Sequence, residues 1–114
     1  MAVYHNNPGL GVLVAVATSQ YLLVKDDGTL CAANATNDVL GVSTNNALAN
    51  QNLPVRFRTA GTWVCTSAGA IAAGALVYKA ASGQVGTTDT NLLIGRALSA
   101  TSAADQEIEV LPTF

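Results

Sequence analysis

The segment from Val55 to Val85 constrains the fold more than any other part of the chain. It carries short runs of β-branched and aromatic residues, and glycine or serine interrupts each run within a few residues. Val55–Thr59 alternates Val, Phe and Thr with two arginines, and Leu76–Lys79 is a further apolar run. This punctuation is typical of short antiparallel strands. The segment therefore predicts a small all-β domain whose other strands pair with these.

The rest of the chain repeats this pattern. Leu22–Lys25 resembles Leu76–Lys79, and Val39–Gly41 resembles Leu93–Gly95, each pair being 54 residues apart. A glycine in the middle of a strand indicates a bulge or a close approach of another backbone. The alternative explanation of the repeat is chance similarity in an alanine-rich chain.

Two copies are too few for a solenoid. The repeat predicts a small antiparallel β-barrel or sandwich of two pseudo-repeated halves, approximately residues 21–59 and 75–113. At most one short helical turn is expected, in the polar loop Ser43–Asn52. With 114 residues, the chain is long enough for one domain. We assign residues 1–9 to an N-terminal arm and residues 10–114 to a single β-domain, with an apolar strand at Val12–Ala17.

The scarcity of charge predicts an assembled protein. Only 11% of the residues are charged, against about 25% in ordinary globular domains. Contiguous apolar surface usually marks an interface. The net charge of −2 gives no basic stripe for nucleic acid, and Arg56 and Arg58 are interpreted as the solvated face of an edge strand.

No membrane segment is predicted. Thr59–Tyr78 has no formal charge over 20 residues, but it reads as strand, turn and strand, which cannot satisfy its backbone in lipid. The uncharged first 24 residues lack the positive region that begins a secretion signal.

The sequence predicts neither an enzyme nor a cofactor or metal site. His5 is the single histidine, and a terminal arm does not position it beside a partner for acid–base work. Asp26 and Asp27 precede a glycine, which is turn chemistry. Cys31 and Cys65 do not form a disulfide scaffold. Buried free thiols are expected, and a disulfide between the two is the alternative.

Several segments together resemble the capsid decoration (cement) proteins of tailed bacteriophages. The similar order runs from a glycine-led strand through an Ala-Ile-Ala-Ala-Gly turn into a further strand, a glycine turn, an Ile-Gly strand and a final alternating strand. In this chain these are Ala60–Val64, Ser67–Tyr78, Gly83–Val85, Leu93–Ala97 and Glu107–Leu111. Two departures are Ala75, where the family often has an acidic residue, and the long uncharged N-terminal arm.

The resemblance implies a structural virion protein. It implies a homotrimer on the outer surface of the capsid, bound between subunits of the major capsid protein, that stabilises the expanded head. Assembly would take place in the host cytoplasm, with no cofactor, nucleic acid or membrane as partner. The alternatives are a carbohydrate-binding adhesion module that uses Trp63 and the Asn-rich loops, or another virion component such as a head-fibre or tail base.

Two sets of contact residues follow as expectations. The arm is expected to contact the capsid, and to add a strand to a neighbouring sheet edge, through Tyr4, His5, Asn6, Asn7 and Pro8. An arm without any role is the alternative. The oligomer interface is expected at Phe57, Trp63, Ile71 and Tyr78.

Overall fold

The computed structural model describes residues 9–13, 19–25, 27–48, 51–57 and 61–113. This part of the chain forms nine strands and one 3-10 turn, and no longer helix, which confirms the all-β class. The strands are β1 (Gly9–Leu13), β2 (Leu23–Lys25), β3 (Val39–Ser43), β4 (Asn52–Phe57), β5 (Trp63–Thr66), β6 (Leu76–Lys79), β7 (Val85–Gly86), β8 (Leu93–Ala97) and β9 (Glu107–Pro112). The strand expected at 12–17 starts earlier, and residues 14–18 lie outside the described part. Because Gly9 already pairs with Arg56, the first sheet also begins one residue before the predicted start of the domain.

The helical turn does not lie where the sequence placed it. It spans Ala81–Gly83, between β6 and β7, and the described residues of the loop 43–52 contain none. Side chains in that loop accept hydrogen bonds from backbone N–H groups that would otherwise bond to helix carbonyls. Asn45 Oδ1 accepts from Asn46 N at 2.9 Å, and Gln51 Oε1 accepts from Leu48 N at 3.0 Å. Asn and Gln compete with helix formation in this way.

Two antiparallel sheets hold the strands. The first has the order β1-β4-β3-β2, and the second has the order β5-β9-β8-β6-β7. The first four positions of the second sheet repeat the order of the first, since β5, β6, β8 and β9 stand where β1, β2, β3 and β4 stand.

The central glycines mark the same irregularity in both sheets. Gly41 pairs with Val24 and Gly95 pairs with Val77, and in each sheet the register shifts directly after that pair. A Cβ on Gly95 would overlap the carbonyl of Leu111 and lie 2.9 Å from the Cα of Pro112. A Cβ on Gly41 would overlap the backbone of Arg56 in the same way. The predicted bulge and close backbone approach are therefore both present.

The core lies between one face of the first sheet and the inner face of the second sheet. The second sheet contributes its inner face, and the first contributes Leu23 and Val42. Val24 and Val55, which point to the other side of the first sheet, are also buried. The side chains that form the contiguous core are Leu23, Cys31, Val42, Trp63, Cys65, Ile71, Val77, Val85, Ile94, Ala97, Ile108 and Val110.

A buried lysine joins the two halves. Lys79 at the end of β6 is 0% exposed. Its Nζ donates to Asn34 Oδ1 at 2.7 Å, to the Thr36 carbonyl at 2.6 Å and to Asp38 Oδ1 at 2.7 Å. All three acceptors lie in the loop between β2 and β3, so the three ammonium protons are satisfied by the other half.

The 3-10 turn packs against the same region. Gly83 has a φ of +76° and donates its N–H to the Cys31 carbonyl at 2.9 Å. A Cβ at this position would lie 2.8 Å from the Leu23 carbonyl oxygen. Both the left-handed backbone and the close contact with β2 therefore require glycine here.

Candidate assembly surface

The structure places the predicted contact residues in three different situations. Tyr4, His5, Asn6, Asn7 and Pro8 lie outside the described residues, and so does the side chain of Phe57, whose backbone is in β4. Their roles stay predictions.

Of the other predicted interface residues, two are covered within one protomer. Trp63 is 0% and Ile71 is 3% exposed, so they add almost no area to a contact between copies in this conformation. Tyr78 is half-buried, on the outer side of β6. The carbohydrate-binding alternative required the Trp63 indole to stack on a sugar. Because this side chain is buried, its indole is not accessible for that contact.

The outer face of the second sheet carries a row of exposed apolar side chains. Leu76 pairs with Arg96, and Arg96 pairs with Leu111, so these three side chains point to the same side of neighbouring strands. Leu76 is 41%, Leu98 is 45% and Leu111 is 43% exposed. Single exposed leucines are ordinary, but three on one sheet face form a patch.

Charged side chains of both signs lie on the same sheet face as these leucines. Glu107 and Glu109 are exposed on β9, and Glu109 pairs with Val64 of β5. A shallow groove of about 270 Å³ lies beside them, lined by Val64, Ser99, Glu107, Ile108 and Glu109. Arg96 lies between Leu76 and Leu111 and donates from Nη1 to the Gly74 carbonyl at 2.6 Å. We call the surface formed by Leu76, Arg96, Leu98, Glu109 and Leu111 the leucine face.

The described residues offer no arrangement suited to catalysis by a metal or a thiolate. Among them no three His, Cys, Asp or Glu side chains come together as a metal site. Cys31 and Cys65 are free and buried, as expected. Desolvation by burial raises the pKa of both thiols to about 12, so the nucleophilic thiolate is scarce at neutral pH.

The Asp27 side chain stabilises the turn in which it lies, as predicted. Its Oδ1 accepts from the Thr29 hydroxyl at 2.6 Å and from the Thr29 N–H at 3.0 Å. These bonds lower the pKa of the carboxyl group, because they favour its charged form. Asp26 lies outside the described residues.

Sequence reasoning missed the leucine face and the buried lysine. The alternation of β9 had placed Ile108 and Val110 on one side and two glutamates on the other. The same alternation, continued by two residues, places Leu111 on the outer side with the two glutamates. This pattern was the sequence signal for an exposed leucine on that face. For Lys79 the signal was strand alternation. Lys79 follows Val77 by two residues in β6, so its side chain points to the same buried side of the sheet as Val77.

No helix in the described part of the chain is long and apolar enough to cross a bilayer.

The fold and the sequence were compared with known proteins. The fold is similar to the N base of the head fiber protein gp8.5 of bacteriophage phi29, with a TM-score of 0.71 and 15% sequence identity; the match covers 99% of this chain and 95% of that one. At this identity the likeness shows the fold. No curated protein matches the sequence. The description of the phage cement protein family matches residues 8–112. With nearly the whole sequence matched, the chain belongs to the phage cement protein family.

Proposed function

We propose that this protein binds the outer surface of a tailed-phage head as a homotrimer and stabilises the expanded shell. The observation that carries this proposal is the family match over residues 8–112. The leucine face supports the assembled state, because water would otherwise surround three large apolar side chains on one sheet. The partner proposed on the head is the major capsid protein.

Multivalent binding explains how weak contacts can hold such a trimer. Once one protomer is bound, the other two face their sites at a high effective concentration, so avidity exceeds the affinity of one contact by about 10²–10⁴. A ligand that binds only the expanded shell shifts the equilibrium toward that shell by mass action. No catalytic group is required for this activity.

We propose the N-terminal arm as one capsid contact. The arm leads directly into β1, which is the terminal strand of the first sheet. An extended segment that leaves a terminal strand can continue the pairing onto a neighbouring chain. Tyr4, His5 and Pro8 would then lie against the capsid.

The experiment uses heads of the encoding phage assembled without this protein. Purified protein is added to expanded and unexpanded heads, and binding is measured by co-sedimentation. The proposal predicts saturable binding to expanded heads and a higher temperature of head disruption. An absence of binding, or equal binding to unexpanded heads, would contradict it. Deletion of residues 2–8 should lower occupancy, and unchanged occupancy would remove the arm from the proposal.

A head-fibre base is the second candidate function. The similarity to the phi29 head fiber base over 99% of this chain favours it. In this case the domain would also sit on the head, but it would support a projecting fibre. A reconstruction of virions separates the two, because a cement protein ends close to the capsid surface.

A further inference from the structure

The carboxamide of Asn34 lies against the buried amino group of Lys79. Lys79 is 0% exposed, and its Nζ donates to Asn34 Oδ1 at 2.7 Å. Because a carbonyl bond is about 1.2 Å long, the same Nζ lies within about 4 Å of the carbon atom Cγ of Asn34. Reacting atoms that are held about 3–3.5 Å apart are close to the geometry of bond formation. The structure therefore places an amine nucleophile beside the carbon of a carboxamide.

Asp38 is positioned to take a proton from this amine. An ammonium group has no free electron pair, so Nζ must lose a proton before it can attack a carbon atom. Asp38 Oδ1 accepts a hydrogen bond from Nζ at 2.7 Å, which is within the reach of a general base. The Asp38 side chain is 25% exposed, whereas the Lys79 side chain is 0% exposed. The carboxylate therefore contacts both the shielded amine and the solvent.

A backbone N–H faces the oxygen that would become negative during the attack. Thr36 N donates to Asn34 Oδ1 at 3.0 Å, a distance typical of the donors that stabilise an oxyanion. The backbones on both sides are also fixed, since Leu92 N donates to the Asn34 carbonyl and Asn91 Nδ2 donates to the Lys79 carbonyl, each at 2.8 Å. The two halves of the chain thus hold the amine, the carboxamide and the oxyanion donor in one arrangement.

The internal repeat does not require this combination. The residues 54 positions after Asn34 and Asp38 are Thr88 and Leu92, which carry neither a carboxamide nor a carboxylate. A structural ion pair would need only Asp38 opposite Lys79. The carboxamide is the additional group, and it is the one that an amine can attack.

We propose that Lys79 and Asn34 form an intramolecular isopeptide bond, with Asp38 as the catalytic base. Nζ of Lys79 forms a bond to Cγ of Asn34, and the bond between Cγ and Nδ2 breaks. Nζ gives up two protons, the first of them through Asp38, and Nδ2 leaves with both as ammonium. Asp38 ends as a carboxylate, and no atom is oxidised or reduced. The product is an amide that joins β6 to the loop between β2 and β3.

This bond ties the two halves of the chain together. It connects residues that are 45 positions apart, and a covalent link of this kind restricts the unfolded chain. Cys31 and Cys65 are both free, so they do not supply such a link. The inference goes beyond the proposed function and does not depend on it.

Mass spectrometry of the full-length protein tests the bond. The linked protein lacks the mass of one ammonia molecule. Trypsin cleaves after unmodified lysine but not after an acylated one, so digestion of the unfolded protein should leave residues 26–56 joined to residues 59–96. Lys25, the equivalent of Lys79 in the first half, is an internal control and should be cleaved. The protein is measured directly after purification and again after incubation at neutral pH.

Variants assign the three roles. Lys79→Met and Asn34→Ala should abolish the linked peptide, and Asp38→Ala should slow its formation at least about a hundredfold. Asn34→Asp should still form the link, with loss of water in place of ammonia, and Lys25→Met should behave like the wild type. Asn34→Ala retains the ion pair of Lys79 with Asp38, so stability measured in this background separates the ion pair from the covalent bond. Circular dichroism checks that each variant is folded.

The outcomes are distinct from those of the head-binding experiment. Wild-type protein that keeps its full sequence mass after incubation, and releases residues 26–56 and 59–79 as separate peptides, would overturn the bond. Loss of ammonia without the linked peptide would indicate a succinimide at Asn34 and would overturn it as well. Either result would leave the proposed decoration of the head untouched, because binding to heads is measured separately.

Discussion

Removal of Asp38 should destabilise the fold far more than removal of its partner Lys79. The Lys79 ammonium is 0% exposed and the Asp38 side chain is 25% exposed, with 2.7 Å between Nζ and Oδ1. Asp38→Ala therefore leaves a positive charge inside the protein with two neutral acceptors. Lys79→Met removes the charge and fills the site with an apolar chain of similar length.

The magnitude follows from this asymmetry. Removing one partner of a buried ion pair costs about 3–5 kcal/mol, because the other charge stays buried without compensation, and the cost is smaller where water reaches the charge that remains. Because water reaches Asp38 in part, we expect about 3 kcal/mol for Asp38→Ala. Lys79→Met leaves the Asp38 carboxylate, which is 25% exposed, and the acceptors of the exposed residues Asn34 and Thr36. Water can solvate all three, so we expect about 1 kcal/mol for Lys79→Met. For a domain of this size 3 kcal/mol corresponds to a fall in Tm of about 10–15 °C.

Urea unfolding of four proteins measures this: wild type, Asp38→Ala, Lys79→Met and the double variant. The double variant should match Lys79→Met, because Asp38 has little left to stabilise once the charge is gone. If Asp38→Ala lies within 1 kcal/mol of wild type, or if the two single effects add in the double variant, the lysine is not held as the structure describes.

Two further predictions concern the backbone contact in the second sheet and the thiols. Gly95→Ala should cost about 1–3 kcal/mol or more in unfolding free energy, because its Cβ would overlap the Leu111 carbonyl; Gly69→Ala, where a Cβ would meet nothing within 4 Å, is the control, and equal effects would contradict the close approach. Burial raises the pKa of the Cys31 and Cys65 thiols from an ordinary value of 9.0 to about 12 in the folded protein, so the folded state keeps protons that the unfolded state releases. Stability should thus be independent of these groups below pH 9 and fall between pH 9 and 12, and an alkaline urea series in which Cys31→Ala, Cys65→Ala and wild type lose stability in parallel would refute this.

The sequence predicts the strands well, because their signals are local. The alternation at Val55–Thr59 and the glycine-centred runs around Gly41 and Gly95 depend on residues a few positions apart, and β4, β3 and β8 appear at these places. The two glycines also predict a tertiary feature, since a strand interior that lacks a side chain indicates an approaching backbone.

The arrangement of the two sheets could not be predicted in the same way. Leu22 and Leu76 hold equivalent places in the repeat, yet Leu22 is half-buried and Leu76 is 41% exposed. Their difference arises from which faces pack together, and a periodic pattern is identical for both. The contact of Lys79 with Asp38 joins residues 41 positions apart, and the periodicity of strands and helices predicts contacts only between residues a few positions apart. Trp63 as an interface residue was inferred from residue type alone, and an indole satisfies a core equally well.

The most direct test of the account is a cryo-EM difference map between virions of the encoding phage and particles assembled without this protein. The account predicts additional density on the outer capsid surface, between major capsid protein subunits, into which three copies of this β-fold fit. Identical outer surfaces in the two maps, or additional density confined to the tail or the interior of the head, would contradict it.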